Sequence, residues 1–168
     1  MYYSAEYASP VGKLSLCSGG ETLAGLWLEG QKYFGGTVFA ESVPEEALPV
    51  FGQTRAWLDR YFAGERPSPD ELPLAPEGSG FQKKVWEILC KIPYGQAMTY
   101  GEIAEQIGNT SARAAGGAVG HNPISIIIPC HRVVGCGGSL TGYAGGIDKK
   151  IWLLKHEGLS GQNLRGLK

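Results

Sequence analysis

No run of apolar residues in this 168-residue chain approaches the ~20 needed to cross a bilayer as a helix. No membrane partner is expected. The opening residues, Met1 to Glu6, show neither the basic start nor the apolar stretch of a secretory leader. Cys-x-x-Cys pairs are also missing. The four cysteines stand at 17, 90, 130 and 136, a spacing that fits neither a disulfide framework nor a zinc site. Free thiols without an export signal point to a reducing compartment, the cytoplasm. Histidine is missing from the first 120 residues, where Cys17 and Cys90 are the only cysteines. No metal and no cofactor are expected. Overall charge is nearly balanced at −1, but its distribution is not. Residues 1–78 hold 5 Lys/Arg against 11 Asp/Glu, whereas residues 79–168 hold 10 against 5. The second half has the sign that a polyanion-binding surface needs.

What is present reads as two small domains. Residues 2–8, 12–18 and 22–28 alternate apolar and polar side chains between Gly/Ser/Pro punctuation, and so predict three short antiparallel strands. Leu48, Phe51, Leu58, Tyr61 and Phe62 fall near helical spacing, so a helix over 45–63 should pack on that sheet. The proline-rich stretch 64–78 reads as a linker. It divides the chain into a scaffolding domain, 1–76, and a second domain, 77–168. In the second, Ser79 offers an N-cap to a helix carrying Phe81, Val85, Trp86, Ile88 and Leu89. Helices over 100–107 and 112–119 around Gly108-Asn109 form a helix-turn-helix pattern. A last helix covers about 146–156. The fold class is α+β: a small N-terminal antiparallel sheet with a helix, then a mostly helical part with a (winged) helix-turn-helix.

One nine-residue segment, Ile126 to Val134, carries the chemistry. Its β-branched apolar run predicts a buried strand or strand-like piece. Pro129 ends it, and Cys130 follows at the rim of the core. The thiolate is the reactive form of cysteine, and cations such as Arg132 or a protonated His131 would favour it. Ala112-Arg113-Ala114-Ala115-Gly116-Gly117-Ala118 is unusual for a helix, because glycine costs about 1 kcal/mol each relative to alanine there. Small side chains permit close approach, either of another helix or of a nucleic-acid groove.

Pro129-Cys130-His131-Arg132, with Val133 following, resembles the acceptor motif of the O6-alkylguanine-DNA alkyltransferase (methylated-DNA–protein-cysteine methyltransferase) family. Tyr100 to Ala104, Ala112 to Val119, Asn122-Pro123, Tyr143 to Gly146 and Trp152 to Gly158 match it in the same order. The resemblance covers about residues 79–168 and is looser before them. It implies double-stranded DNA containing alkylated bases as partner, a monomeric protein with cooperativity on DNA left open, and no cofactor. It also implies direct reversal of damage: the alkyl group of O6-alkylguanine, and by extension of O4-methylthymine, passes irreversibly to Cys130 in a single turnover. The damaged nucleotide is flipped out from the minor groove first.

Residue roles follow from the same resemblance. His131 takes the Cys130 proton through a water, and Glu157 orients His131. Tyr143 donates toward the departing base, and Asn122 braces the turn before Cys130. Arg113 fills the space left by the flipped nucleotide, and Tyr100 crowds the neighbouring phosphate. Ala112, Ala114, Gly116, Gly117 and Arg132 are expected at the DNA surface. Tyr143, Ala144, Gly145 and Ser125 are expected around the substrate base, with Gly145 leaving room for adducts larger than methyl. Some family members carry a structural zinc; with Cys17 the sole candidate in the N-terminal domain, that metal is not carried over. Other readings stay open at this point: a lesion-binding protein without repair activity, a cysteine hydrolase, and a helix-turn-helix regulator.

Overall fold

The computed structural model describes residues 1–31, 41–140 and 142–159. The chain forms two compact units, Met1–Glu77 with Pro123–Ile127, and Gly78–Asn122 with Ile128–Lys168.

The first unit is built on a sheet of order β3-β2-β1-β4, with β1 at Tyr2–Ser9, β2 at Gly12–Ser18, β3 at Leu23–Leu28 and β4 at Ser42–Pro44. β1 and β2 pair antiparallel from Tyr3 opposite Ser18 to Ser9 opposite Gly12. The Ser9 hydroxyl ties their turn by donating to Gly12 O at 2.6 Å. Between β2 and β3 the Ser18 hydroxyl does the same for Thr22 O at 2.6 Å. β4 pairs parallel with β1 over three residues. It was not expected from the sequence, because so short a segment ending in proline carries no period-2 signal.

Helix α1, Pro49–Phe62, starts on a proline whose missing amide would have no partner there anyway. It buries Val50, Phe51, Thr54, Trp57, Leu58 and Tyr61, a continuous stripe at helical spacing. The free edge of β3 does not stay exposed. Leu23 N–H donates to Pro73 O at 2.8 Å, Leu26 N–H to Pro123 O at 2.8 Å, and Ser125 N–H to Leu26 O at 2.9 Å. Two loop segments thus cover an edge that would otherwise offer unpaired backbone groups.

The Ile126–Ile128 run departs from the expected strand. All three residues are buried, as their composition predicts. Their backbone instead turns tightly: Ile127 N–H donates to Ser125 O at 2.8 Å across Ile126, whose φ is +71°. A β-branched residue in that region is strained. A second three-residue turn follows at Pro129 (φ −81°, ψ 67°), where Cys130 N–H donates to Ile128 O at 2.8 Å. Burial explains the apolar composition of this run; strand pairing does not.

The second unit contains α2 (Gly80–Cys90), α3 (Tyr100–Ile107), α4 (Ala112–Gly120) and α5 (Ile147–His156). Ser79 and Gln82 form a capping box at the start of α2, and Thr99 and Glu102 form one at α3. Ser111 Oγ accepts from Ala114 N at 3.1 Å and caps α4. Trp86 Nε1 of α2 donates to Ala118 O of α4 at 2.9 Å and fixes the spacing of those helices. A two-residue parallel pair, β5 (Met98–Thr99) with β6 (Val133–Val134), ties the chain before α3 to the chain just after Cys130. No described helix is long and apolar enough to cross a membrane.

Candidate active site

Cys130, His131 and Arg132 occupy one turn of 3-10 helix immediately after Pro129. In so tight a turn the three side chains leave in different directions, and each finds a different partner.

His131 is fully buried, and its Nε2 lies 2.6 Å from Glu157 Oε2. The other ring nitrogen, Nδ1, is buried with no hydrogen-bond partner among the described residues. A buried polar atom without a partner is costly. Burial pushes the imidazole pKa down, against the raising effect of Glu157; Arg132 and Lys150 push it down further. Burial and both cations disfavour the imidazolium, and a neutral ring donating from Nε2 to Glu157 would carry its lone pair at Nδ1. This departs from the protonated His131 entertained above.

Glu157 caps the C-terminal end of α5 and is 5% exposed. It accepts from Arg132 Nε at 2.8 Å, Arg132 Nη2 at 3.2 Å and Gly95 N–H at 3.2 Å, besides His131. Burial alone would raise its carboxyl; His131 and the Arg132 guanidinium hold it well below the usual carboxylate range.

Arg132 corrects an expectation. It is not at a DNA surface: it is 6% exposed, and its third donor, Nη1, reaches Ile92 O at 2.7 Å. Its guanidinium also lies 5.7 Å from the centre of the Tyr94 ring. Sequence proximity to Cys130 suggested a thiolate-stabilising cation, but the turn aims the side chain at Glu157.

The cation that acts on Cys130 is Lys150 of α5, which sequence reading missed. Lys150 is fully buried, its Nζ lies 3.5 Å from Gly142 O and 5.9 Å from the centre of the Tyr100 ring. Burial lowers its pKa to about 8. A signal was present. Lys150, Leu153, Leu154 and Glu157 follow one another at helical spacing, so a lysine occupies the apolar stripe of α5.

Cys130 is 6% exposed. Burial pushes its thiol pKa up, while hydrogen bonding from Asn122, the charge of Lys150 and the Tyr143 hydroxyl pull it down. Asn122 also donates from Nδ2 to Ile128 O at 2.7 Å, so one amide holds the turn that carries the cysteine. The Tyr143 hydroxyl is buried beside Cys130 without an N or O hydrogen-bond partner among the described residues. Burial and the Cys130 charge raise its pKa well above the ordinary phenol value, so it remains a donor.

Cys130, His131, Glu157, Tyr143 and Asn122 thus meet in one place. Ala144 and Gly145 form the centre of a turn closed by Gly146 N–H to Tyr143 O at 3.0 Å. The Ser125 hydroxyl is buried and donates to Gln31 Oε1 at 3.1 Å, on the covered edge of β3.

On α4, Ala112, Arg113, Ala114 and Gly117 are exposed, and Ala115, Ala118 and Val119 are buried. A Cβ at Gly117 would meet nothing within 4 Å, and one at Gly116 would meet the Tyr100 ring at an ordinary 3.5 Å. Close helix packing therefore does not account for glycine at 117. The exposed face is almost free of side-chain bulk and carries one cation. The Tyr100 hydroxyl donates to Gly142 O at 3.2 Å.

Comparison with known proteins gives a consistent picture. Residues 80–159 match the model of the 6-O-methylguanine DNA methyltransferase DNA-binding domain, and residues 1–76 that of its ribonuclease-like domain. The chain is 45% identical to a methylated-DNA–protein-cysteine methyltransferase of Haemophilus influenzae, over 94% of this chain and 86% of that one. With a protein of the same name from Methanosarcina acetivorans the identity is 48%, covering 94% and 99%. The crystal structure of Mycobacterium tuberculosis O6-methylguanine methyltransferase superposes with a TM-score of 0.82 at 44% identity, covering 94% of this chain and 93% of that one. OGT of the same bacterium in complex with DNA gives the same score and identity, with 94% and 92% covered.

Proposed function

The chain belongs to the 6-O-methylguanine DNA methyltransferase family, and we propose that it repairs alkylated DNA by transferring the alkyl group from guanine O6 to Cys130 Sγ. The observation that carries this reading is a buried cysteine next in the chain to a histidine whose Nε2 is held by Glu157 and whose buried Nδ1 has no hydrogen-bond partner among the described residues.

The thiol needs a base, because burial works against the thiolate. His131 Nδ1 accepts the Cys130 proton through a water, and Lys150 stabilises the anion as it forms. Sγ then attacks the alkyl carbon in line. The S–C bond forms, the C–O6 bond breaks, and its electron pair stays on the base. The Tyr143 hydroxyl donates to the departing guanine, whose charge develops in the transition state. A thioether offers no low-energy route back, so each molecule acts once. No cofactor enters this balance.

A duplex hides the O6 substituent, so the nucleotide must leave the stack, at a cost of a few kcal/mol that is smallest for a poorly paired base. The bare face of α4 suits the narrow minor groove, where readout is degenerate and repair at any sequence is possible. Arg113 on that face fills the vacated position, and Tyr100 presses on the flanking phosphate. O4-methylthymine presents the same alkyl–oxygen bond and is the second substrate. The protein acts as a monomer in the cytoplasm, where its thiol stays reduced.

Incubation with duplex DNA containing O6-methylguanine, followed by intact and peptide mass analysis, tests the proposal. The expected result is one methyl group per protein, on Cys130, and none in Cys130→Ala. Tight lesion binding without an adduct would instead make the wild-type chain a lesion-binding protein without repair activity.

A further inference from the structure

Arg132 has no part in the reaction as written above, yet all three of its side-chain nitrogens are engaged. Its Nε, Nη2 and Nη1 donate to Glu157 Oε1, Glu157 Oε2 and Ile92 O, and its flat face lies over Tyr94. A forked contact of this kind fixes both position and orientation of a carboxylate.

We propose that Arg132 is a positioning residue of the alkyl-transfer centre: its forked ion pair with Glu157 keeps that carboxylate ionised and oriented while leaving His131 neutral, so that the Nδ1 lone pair stays open for the Cys130 proton. The inference rests on the alkyl-transfer reading of the site.

The physical reason is charge balance in a dry interior. A lone carboxylate buried against an imidazole draws a second proton onto the ring, because the ion pair is better than an uncompensated anion. An imidazolium has a proton on both nitrogens and accepts none from a thiol. A guanidinium brings a permanent positive charge. It balances Glu157 beforehand, and the pair has no need of a cationic His131. The other group acting on the ring is Lys150 from α5, a cation that also disfavours imidazolium. From the chain after α2 come Ile92 O to Arg132, Gly95 N–H to Glu157 and the Tyr94 ring against the Arg132 guanidinium. Of these groups, Glu157 alone favours a charged ring, and Arg132 is the cation that pairs with it directly.

Two measurements test this. In the wild-type protein, 15N NMR of the imidazole should show His131 neutral at pH 7 with its proton on Nε2; a ring that is charged at pH 7 overturns the proposal, whether or not any DNA is repaired. In Arg132→Gln, checked for folding by circular dichroism, the acid limb of the methyl-transfer rate should move to higher pH by about one unit, with the rate recovering above it. Arg132→Lys, which restores the charge without the fork, should return most of that shift. A rate that falls equally at every pH, with the limb in place, would mean that Arg132 only supports the fold. Absence of transfer in the wild type would overturn the proposed function, while the NMR result would still decide the state of His131.

Discussion

Cys17 in β2 and Cys130 after Pro129 are both buried thiols, and burial raises the pKa of both. Cys17 reaches about 11, helped down only by the Ser18 backbone and pushed up by the charge of Glu77. Around Cys130 the side chains of Asn122, Lys150 and Tyr143 all favour the anion. Burial is therefore no sign of an inert or a reactive cysteine. The neighbours decide, and they come from separate stretches of chain around Cys130 but only from the sheet and its nearby carboxylate around Cys17.

Removing the cation should give the largest change. Lys150→Met keeps most of the volume and deletes the charge beside Cys130. Methyl transfer at pH 7 should fall by roughly ten- to a hundred-fold, the equivalent of one to two pKa units, measured as single-turnover rates against excess O6-methylguanine duplex. The same variant should be more stable at pH 7. The native Lys150 pKa, about 8, lies below its unfolded value. Between pH 8 and that value the unfolded chain binds more protons, so wild-type stability rises with pH across this window. The advantage of Lys150→Met should accordingly shrink from about pH 8 upward in urea titrations. An advantage independent of pH would contradict a lysine held at a depressed pKa.

The exposed face of α4 should respond in the opposite sense. A Cβ at Gly117 has no neighbour within 4 Å, and Gly117→Val should leave the melting temperature nearly unchanged, since valine is no worse than glycine in a helix. Duplex binding should weaken by about tenfold, an order-of-magnitude cost for one obstructed contact, as read by fluorescence anisotropy. Unchanged affinity would remove α4 from the DNA surface. The smallest effect belongs to the comparison cysteine. Cys17→Ala should cost about 1 kcal/mol of stability through the small cavity it leaves, while the extent of methyl transfer stays the same. Loss of transfer there would break the distinction between the two thiols.

Much of the fold was legible because its signals are local. The N-cap Ser79 marks a helix start where the structure has it. The alternation in 2–8 and 12–18 produced the first hairpin. Where reading failed, a non-local choice was involved. The apolar Ile126–Ile128 run is equally compatible with a strand and with buried turns, since composition reports burial and not hydrogen-bond partners. Ser125, next to that run, was drawn toward Gln31 by a backbone pairing with β3 that has no local mark. Arg132 stood beside the nucleophile in sequence, and the 3-10 turn sent it the other way.

By itself, the sequence determined the main helices and the first hairpin, which cysteine is held behind a proline, and which helix has a face stripped of side chains. These follow from propensity, spacing and residue size, all of which act over a few residues. Only the tertiary structure decided the electrostatics: that Arg132 serves Glu157, that Lys150 serves Cys130, and that His131 has one nitrogen locked and one open. The charge state of a buried group depends on every dipole and ion within a few ångströms. Here those partners come from Ile92, Gly95, Asn122, Tyr143, Lys150 and Glu157, brought together only once the chain has packed.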